Sequence, residues 1–240
     1  MGNVRASAVF TALTIVSVSS MTRTPSTRSH KAAATPEPGG RQLVLDTAAR
    51  LFRERGYAGT SLRDIAAAAG MKAASLYHHF DSKDAIVGEV LRIGVEQVSA
   101  LVEAALAELP PDADAQTLLR SAIHAHLQGM HGLQDYTSAN VRIFGQVPAH
   151  VRQAQVPARD AYERRWAALL TRCARQGGLD RQRDLRLARL FLIPAMNGTL
   201  DWFQGGAVSL KAIAEELAEL LLHGLLLHPE AGTPTKEKQR

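Results

Sequence analysis

The chain has 240 residues, 46% hydrophobic but only 5% aromatic, enough to bury a sizeable core in one large domain or a small plus a medium one. A single cysteine, Cys173, excludes an intramolecular disulfide and points to a reducing compartment. The net charge of +5 is unevenly placed: residues 1–40 carry four Lys/Arg against one acid, residues 41–92 eight against six, and residues 93–240 sixteen of each. The excess therefore gathers at the N-terminal side, as a polyanion partner requires.

Residues 8–18 (AVFTALTIVSV) follow Arg5 as a short apolar run, resembling a weak signal-peptide core and too short to span a bilayer as a helix. Met21 then opens a polar, basic stretch, and translation from Met21 is expected, with residues 1–20 an upstream extension. Residues 22–40 are rich in Ser, Thr, Pro and Gly and read as a disordered arm, with Arg23, Arg28 and Lys31 able to meet phosphates.

Ordered structure is expected from about residue 39. Leu43, Val44, Ala48, Leu51 and Phe52 recur at helical spacing and predict a helix over Arg41 to Arg55, stopped by Gly56. Thr60 or Ser61 caps a second helix, Leu62 to Ala69, with Asp64 placed to complete a capping box from Ser61. Gly70 makes a tight turn into a third helix, Ala73 to His79, anchored by Leu76 and Phe80. Residues 62–81 thus read as a helix-turn-helix, which sets one helix into the major groove of DNA. Lys72, Ala73, Ser75, Tyr77 and His78 would face the groove, with His79 nearby. Ser82 caps the next helix, where Lys83 and free backbone N–H groups would meet a phosphate.

These residues carry a resemblance. Arg41 to Val90, through AARLFRERGY, TSLRDIAAAAG and SLYHHFDSKDAI, closely resembles the DNA-binding domain of the tetracycline-repressor (TetR/AcrR) family of bacterial regulators. The resemblance implies an all-α, homodimeric transcription factor, usually a repressor, released from DNA by a small molecule. Thr60, Ser61, Tyr77, His78 and Lys83 match positions that contact phosphates in the family, and Lys72, Ala73 and Ser75 match base-reading or groove-facing ones. One departure stands out: Lys72 occupies a position where the family usually has a capping Ser, and lysine accepts no hydrogen bond. Either the start of the reading helix is looser here, or Ser75 supplies the acceptor.

Downstream, an apolar pattern from Ile86 to Val102 predicts a long helix from Lys83 to about Leu109, stopped by Pro110-Pro111 and suited to carry a signal. Further helices are expected at Leu118 to Met130, Ser138 to Gly145, Pro148 to Arg175 with a kink or break at Pro157, Arg181 to Phe203, and Leu210 to Leu227. The fold class is all-α with about nine helices: an N-terminal helix-turn-helix domain (39–99), a C-terminal ligand-binding and dimerisation domain (100–228) and a tail (229–240). The last helix places Ile213, Leu217, Leu220, Leu221 and Leu225 on a broad apolar face, and the last two helices are the dimer candidates. Arg142, Phe144, Arg165, Trp166, Asn197 and Trp202 are the unusual side chains expected around an effector, with Arg164 and Phe203 beside them. The segment MNGTLDWFQGGAVSL is similar to the end of family members that respond to acyl-CoA or other lipid-derived ligands. His124 and His126 are two apart, on different helix faces, and with His131 suggest surface or pocket histidines rather than a metal site.

The sequence therefore points to a cytoplasmic regulator whose partners are double-stranded DNA, a second copy and a small effector, with no membrane and no cofactor. No nucleophile–base pattern, glycine phosphate loop or metal cluster suggests an enzyme. A membrane-associated or exported protein directed by residues 1–20, and a regulator that activates, are the alternatives.

Overall fold

Nine helices and no strand occupy the described residues, 39–132, 135–179 and 183–223, of the computed structural model. They are α1 (Gly40–Arg55), α2 (Leu62–Ala68), α3 (Ala73–Tyr77), α4 (Lys83–Ala107) and α5 (Ala115–His131), followed by α6 (Asp135–Ile143), α7 (Ala149–Arg175), α8 (Leu185–Trp202) and α9 (Leu210–His223). The all-α expectation holds. The extension, the arm up to residue 38, the tail and Leu225 lie outside the described residues, while Gly40, expected at the end of the arm, begins α1.

Local chemistry sets the helix ends. Gly56 at φ 74° ends α1 behind Arg53 and Arg55, whose charges suit the carboxyl end of the helix dipole. Ser61, not Thr60, caps α2 and forms the reciprocal box with Asp64. Ser82 accepts from the Ala85 N–H to start α4, and Asp114 starts α5 three residues earlier than apolar periodicity alone places it. α3 ends at Tyr77 rather than His79, because the His78 and His79 N–H groups turn to carbonyls three residues back. α6 begins at Asp135, ahead of the expected Ser138.

A kink or a break was expected at Pro157, and α7 runs through it as one unbroken helix. Val156 and Pro157 face solvent, so water can serve the carbonyl left without its partner. The opposite face holds the helix down through buried Val151, Gln155, Tyr162 and Trp166. α8 likewise carries an exposed Pro194.

Two apolar clusters share α4. Its first half gives Ile86, Val87, Val90 and Leu91 to a cluster with Phe52, Ile65 and Leu76. Its second half gives Val95, Val98 and Val102 to a cluster built on α5, α7, α8 and α9 around Trp166. Leu43, expected in the α1 stripe, is exposed; Leu45 and Ala49 take its place in the core. α9 docks against that second cluster through Ile213, Ala214 and Ala218, with Leu217 and Leu221 half-buried. Much of its wide apolar face is thus used within the chain. The apolar surplus lies instead on α8, where Leu187, Leu190 and Phe191 are exposed, Phe191 by 71%.

α6 packs against α4 at Gly94. A Cβ there would meet the Tyr136 carbonyl oxygen at 2.5 Å, whereas one at Gly88, a turn and a half earlier, meets only Gln155 Nε2 at 3.8 Å. Gly94→Ala is expected to destabilise the fold by about 1–3 kcal/mol. Gly88→Ala is expected to raise stability by about 0.5–1 kcal/mol through helix propensity. Urea unfolding of both variants checks the contrast.

Candidate nucleic-acid interface and ligand cavity

Buried Ile65 and Ala66 seat α2, and buried Leu76 and Phe80 seat α3 and the turn after it. Gly70 at φ 66° turns the chain between α2 and α3. With that anchoring, Lys72, Ala73, Ser75, Tyr77, His78 and His79 are all exposed, Tyr77 by 54%. Arg55 and Arg63 are exposed nearby and add positive charge that motif reading passed over. At Lys72 no side chain caps α3, and Ser75 does not supply the missing acceptor. The departure noted in the sequence is therefore real in the structure: the first N–H groups of α3 are uncapped.

Two of the expected phosphate contacts are placed differently. Thr60 is 1% exposed, and its hydroxyl donates to the Gly56 carbonyl at 2.9 Å, so it ties the α1–α2 connection from inside. Lys83 folds back: its ammonium donates to the Tyr57 carbonyl and lies 3.8 Å from the centre of the Tyr57 ring. Burial lowers the Lys83 pKa, against the opposing pull of Asp84 and Asp64. Tyr57 in turn donates to Asp84 Oδ1 at 2.6 Å, and burial, then Asp84, push its pKa up to about 12. Ser61 stays exposed, but its hydroxyl is engaged with Asp64. Ser61 holds the Asp64 carboxyl below its usual range, keeping the box charged.

The second candidate site is a seam between α4 and α7. A small chamber of about 50 Å3 sets the polar groups of His126, Asn140, Arg159, Tyr162 and Asn197 among apolar Val95, Val98, Met130 and Ile193. The next turns of both helices border an apolar chamber of about 300 Å3 with Arg165 and Trp166 on its wall. Tyr162 borders both. Of the residues expected around an effector, Asn197 borders the small chamber and Arg165 and Trp166 the larger one.

Arg142, Phe144 and Trp202 do not line these chambers. Arg142 is exposed and donates to the Arg53 carbonyl at 3.3 Å, joining α6 to α1. Phe144 lies beneath the Arg159 guanidinium, 3.9 Å from ring centre to Cζ. Trp202 is 58% exposed, edge-on to Phe203. The Trp166 indole N–H is buried without a hydrogen-bond partner among the described residues.

His126 is the group that the sequence placed only as a surface or pocket histidine. It is 2% exposed, with Nδ1 2.6 Å from the Tyr162 hydroxyl and Nε2 3.2 Å from Asn197 Oδ1. An amide oxygen only accepts, so the proton is assigned to Nε2, and Nδ1 accepts from Tyr162. Burial lowers its pKa to about 4, against the opposing Asn197 bond. Its neighbours are wrong for a metal: among the described residues no three His, Cys, Asp or Glu converge. Cys173 is buried, and burial pushes its thiol up to about 11, away from nucleophile chemistry.

α6 stands between the two sites. Thr137, Asn140 and Val141 border the polar chamber. From the same helix Tyr136 donates to Asp46 Oδ1 of α1 at 2.5 Å, and Asp135 pairs with Arg53 at 3.0 Å. Just beyond it, Gln146 Oε1 accepts from the Tyr57 N–H at 3.0 Å.

Residues 44–90 match the family model of bacterial regulatory proteins, tetR family, and residues 112–225 match the tetracyclin repressor-like C-terminal domain. The transcriptional repressor KstR2 of Rhodococcus jostii is 28% identical over 193 residues, covering 78% of this chain and 91% of that protein. The crystal structure of the TetR family regulator PfmR from Thermus thermophilus superposes with a TM-score of 0.66 at 31% identity, covering 77% of this chain and 99% of that one. AibR, solved with isovaleryl coenzyme A and operator DNA, shares the fold at a TM-score of 0.68 and 22% identity, covering 77% and 98%. Among the described residues no helix is long and apolar enough to cross a membrane.

His126 generates a pH prediction. Its unfolded value is near 6.5 and its folded value about 4, so the unfolded chain takes up the proton first. The neutral-histidine contribution is complete above pH 6.5 and is lost as pH falls towards 4, about 3 kcal/mol in all. Denaturant titrations across that window should show the loss in wild type and a flatter profile in His126→Gln.

Proposed function

Since the chain belongs to the tetR family of bacterial regulatory proteins and is a DNA-binding transcriptional repressor, we propose how its residues divide the work. Ser61, Lys72, Ala73, Ser75, Tyr77 and His78 form the DNA-contacting face. The observation that carries this is the exposed row on α3, held in register by buried Leu76 and Phe80. Lys72 contacts a phosphate or a guanine edge, and Tyr77 and His78 reach phosphate oxygens. Thr60 closes the α1–α2 connection and Lys83 ties the start of α4 to it, instead of touching DNA. The protein works in the cytoplasm by binding and not by turnover.

A second copy brings two reading helices about 34–36 Å apart, one turn of DNA, on a palindromic operator. The exposed Leu187, Leu190 and Phe191 on α8, with half-buried Leu220 on α9, support a helix-to-helix dimer seam.

The effector enters the α4–α7 seam. A small organic molecule of acyl-CoA or other lipid-derived type suits the apolar chamber, and AibR is a member of this fold solved with a coenzyme A thioester and DNA. α6 carries the response. It borders the small polar chamber on one side and is bonded to α1 on the other, so a ligand that reaches that chamber and displaces α6 moves the reading domain. A ligand that prefers the displaced state lowers the population able to span the operator.

Fluorescence anisotropy on the DNA upstream of its own gene tests this reading. Binding should weaken steeply with salt, and Lys72→Ala should make the log–log salt slope shallower by about 1. Tyr77→Phe, which removes only a hydroxyl, should cost about 1 kcal/mol of binding. Phe191→Asp should shift sedimentation from dimer to monomer and weaken operator binding with it. Binding that ignores salt, or a Phe191→Asp dimer as tight as wild type, would contradict the assignments.

A further inference from the structure

We propose that the polar chamber is an anion seat: it holds the carboxylate of a small organic acid whose apolar body extends into the neighbouring chamber. The inference rests on reading the α4–α7 seam as the effector site and specifies the ligand's charge and orientation.

Arg159 carries the argument. Its guanidinium is half-buried on the chamber wall, yet its direct contacts are neutral: Asn140 Oδ1 at 3.0 Å and the face of Phe144 at 3.9 Å. Among the described residues no carboxylate bonds it. Glu163 borders the same chamber, but its carboxylate is engaged by Arg189 at 3.3 Å. Burial lowers the Arg159 pKa, with Glu163 only partly offsetting it at a distance. A cation taken partly out of water without a bonded counter-ion is destabilising, and an incoming anion relieves that.

The remaining chamber groups agree in sign. His126 is neutral, since both its nitrogens are engaged and burial opposes its proton. Asn197 uses its oxygen on His126, which leaves its amide N–H groups as donors. Two donor groups and a neutral ring therefore face a space of about 50 Å3, large enough for a carboxylate, beside apolar Val95, Val98 and Met130. The space of about 300 Å3 along the same seam is walled by Val102, Leu106, Trp166 and Leu169 and suits a hydrocarbon body. Its Trp166 ring is buried within the core and offers the body an aromatic wall. A guanidinium also matches a carboxylate's geometry with two parallel N–H donors, which an alcohol or ester does not use.

The test is calorimetric titration of the full chain with octanoate, methyl octanoate and octanol, three probes with similar bodies and different heads. Octanoate should bind wild type at least tenfold more tightly than either neutral probe. Arg159→Gln should lose that preference, and Arg159→Lys should keep part of it. Thermal unfolding of each unliganded variant separates loss of the seat from loss of the fold. Equal binding of the three probes, or octanoate binding unchanged in a folded Arg159→Gln, overturns the anion seat. So does failure of octanoate to bind a wild-type protein that still binds its DNA, a result that leaves the regulator reading intact. Octanoate binding by a protein that recognises no DNA supports the seat and removes the regulator reading.

Discussion

α4 cannot move without disturbing both halves of this protein, because its side chains are shared between two cores. Ile86 to Leu91 are packed with α1, α2 and α3, and Val95 to Val102 with the helices that enclose the cavity. Both sets are buried, and close-packed apolar side chains leave little room for one half of the helix to shift alone. α4 is therefore the helix common to the reading domain and to the helices around the cavity.

The close approach of α6 at Gly94 adds a second connection. Asn140 donates to the Leu91 carbonyl at 2.6 Å while accepting from Arg159. One turn away, Tyr136 is held between Asp46 and Gln42 of α1. A ligand group that draws Arg159 away therefore changes the bonding of a helix tied to both α4 and α1. These are polar contacts of about 1 kcal/mol each, on the scale at which allosteric coupling operates. They can be exchanged without unfolding the apolar cores around them.

The reading domain was legible in the sequence because its determinants are local. Ser61 and Asp64 cap by adjacency, Gly70 turns because it lacks a side chain, and Leu76 and Phe80 share a face by being four apart. The cavity was legible only in part, because its walls come from five helices distant in sequence. Asn197, Arg165 and Trp166 stood out as unusual residues among alanines and leucines, but so did Arg142 and Trp202, which point elsewhere. Arg159 gave no signal, since one arginine in an arginine-rich helix looks solvated until the packing around Phe144 and Asn140 is known. Thr60 misled for a related reason: a hydroxyl near a cap reads as surface, whereas its bond to the Gly56 carbonyl depends on how the α1–α2 turn closes.

The central claim is that α3, presented twice by a dimer, reads a symmetric DNA site. The most direct measurement is selection of bound sequences from a random double-stranded pool by the purified full chain. Enrichment of an inverted repeat whose half-site centres lie about 10 bp, or a multiple of one DNA turn, apart is expected. A pool that emerges with no enriched sequence, or with a single unrepeated motif, would contradict it.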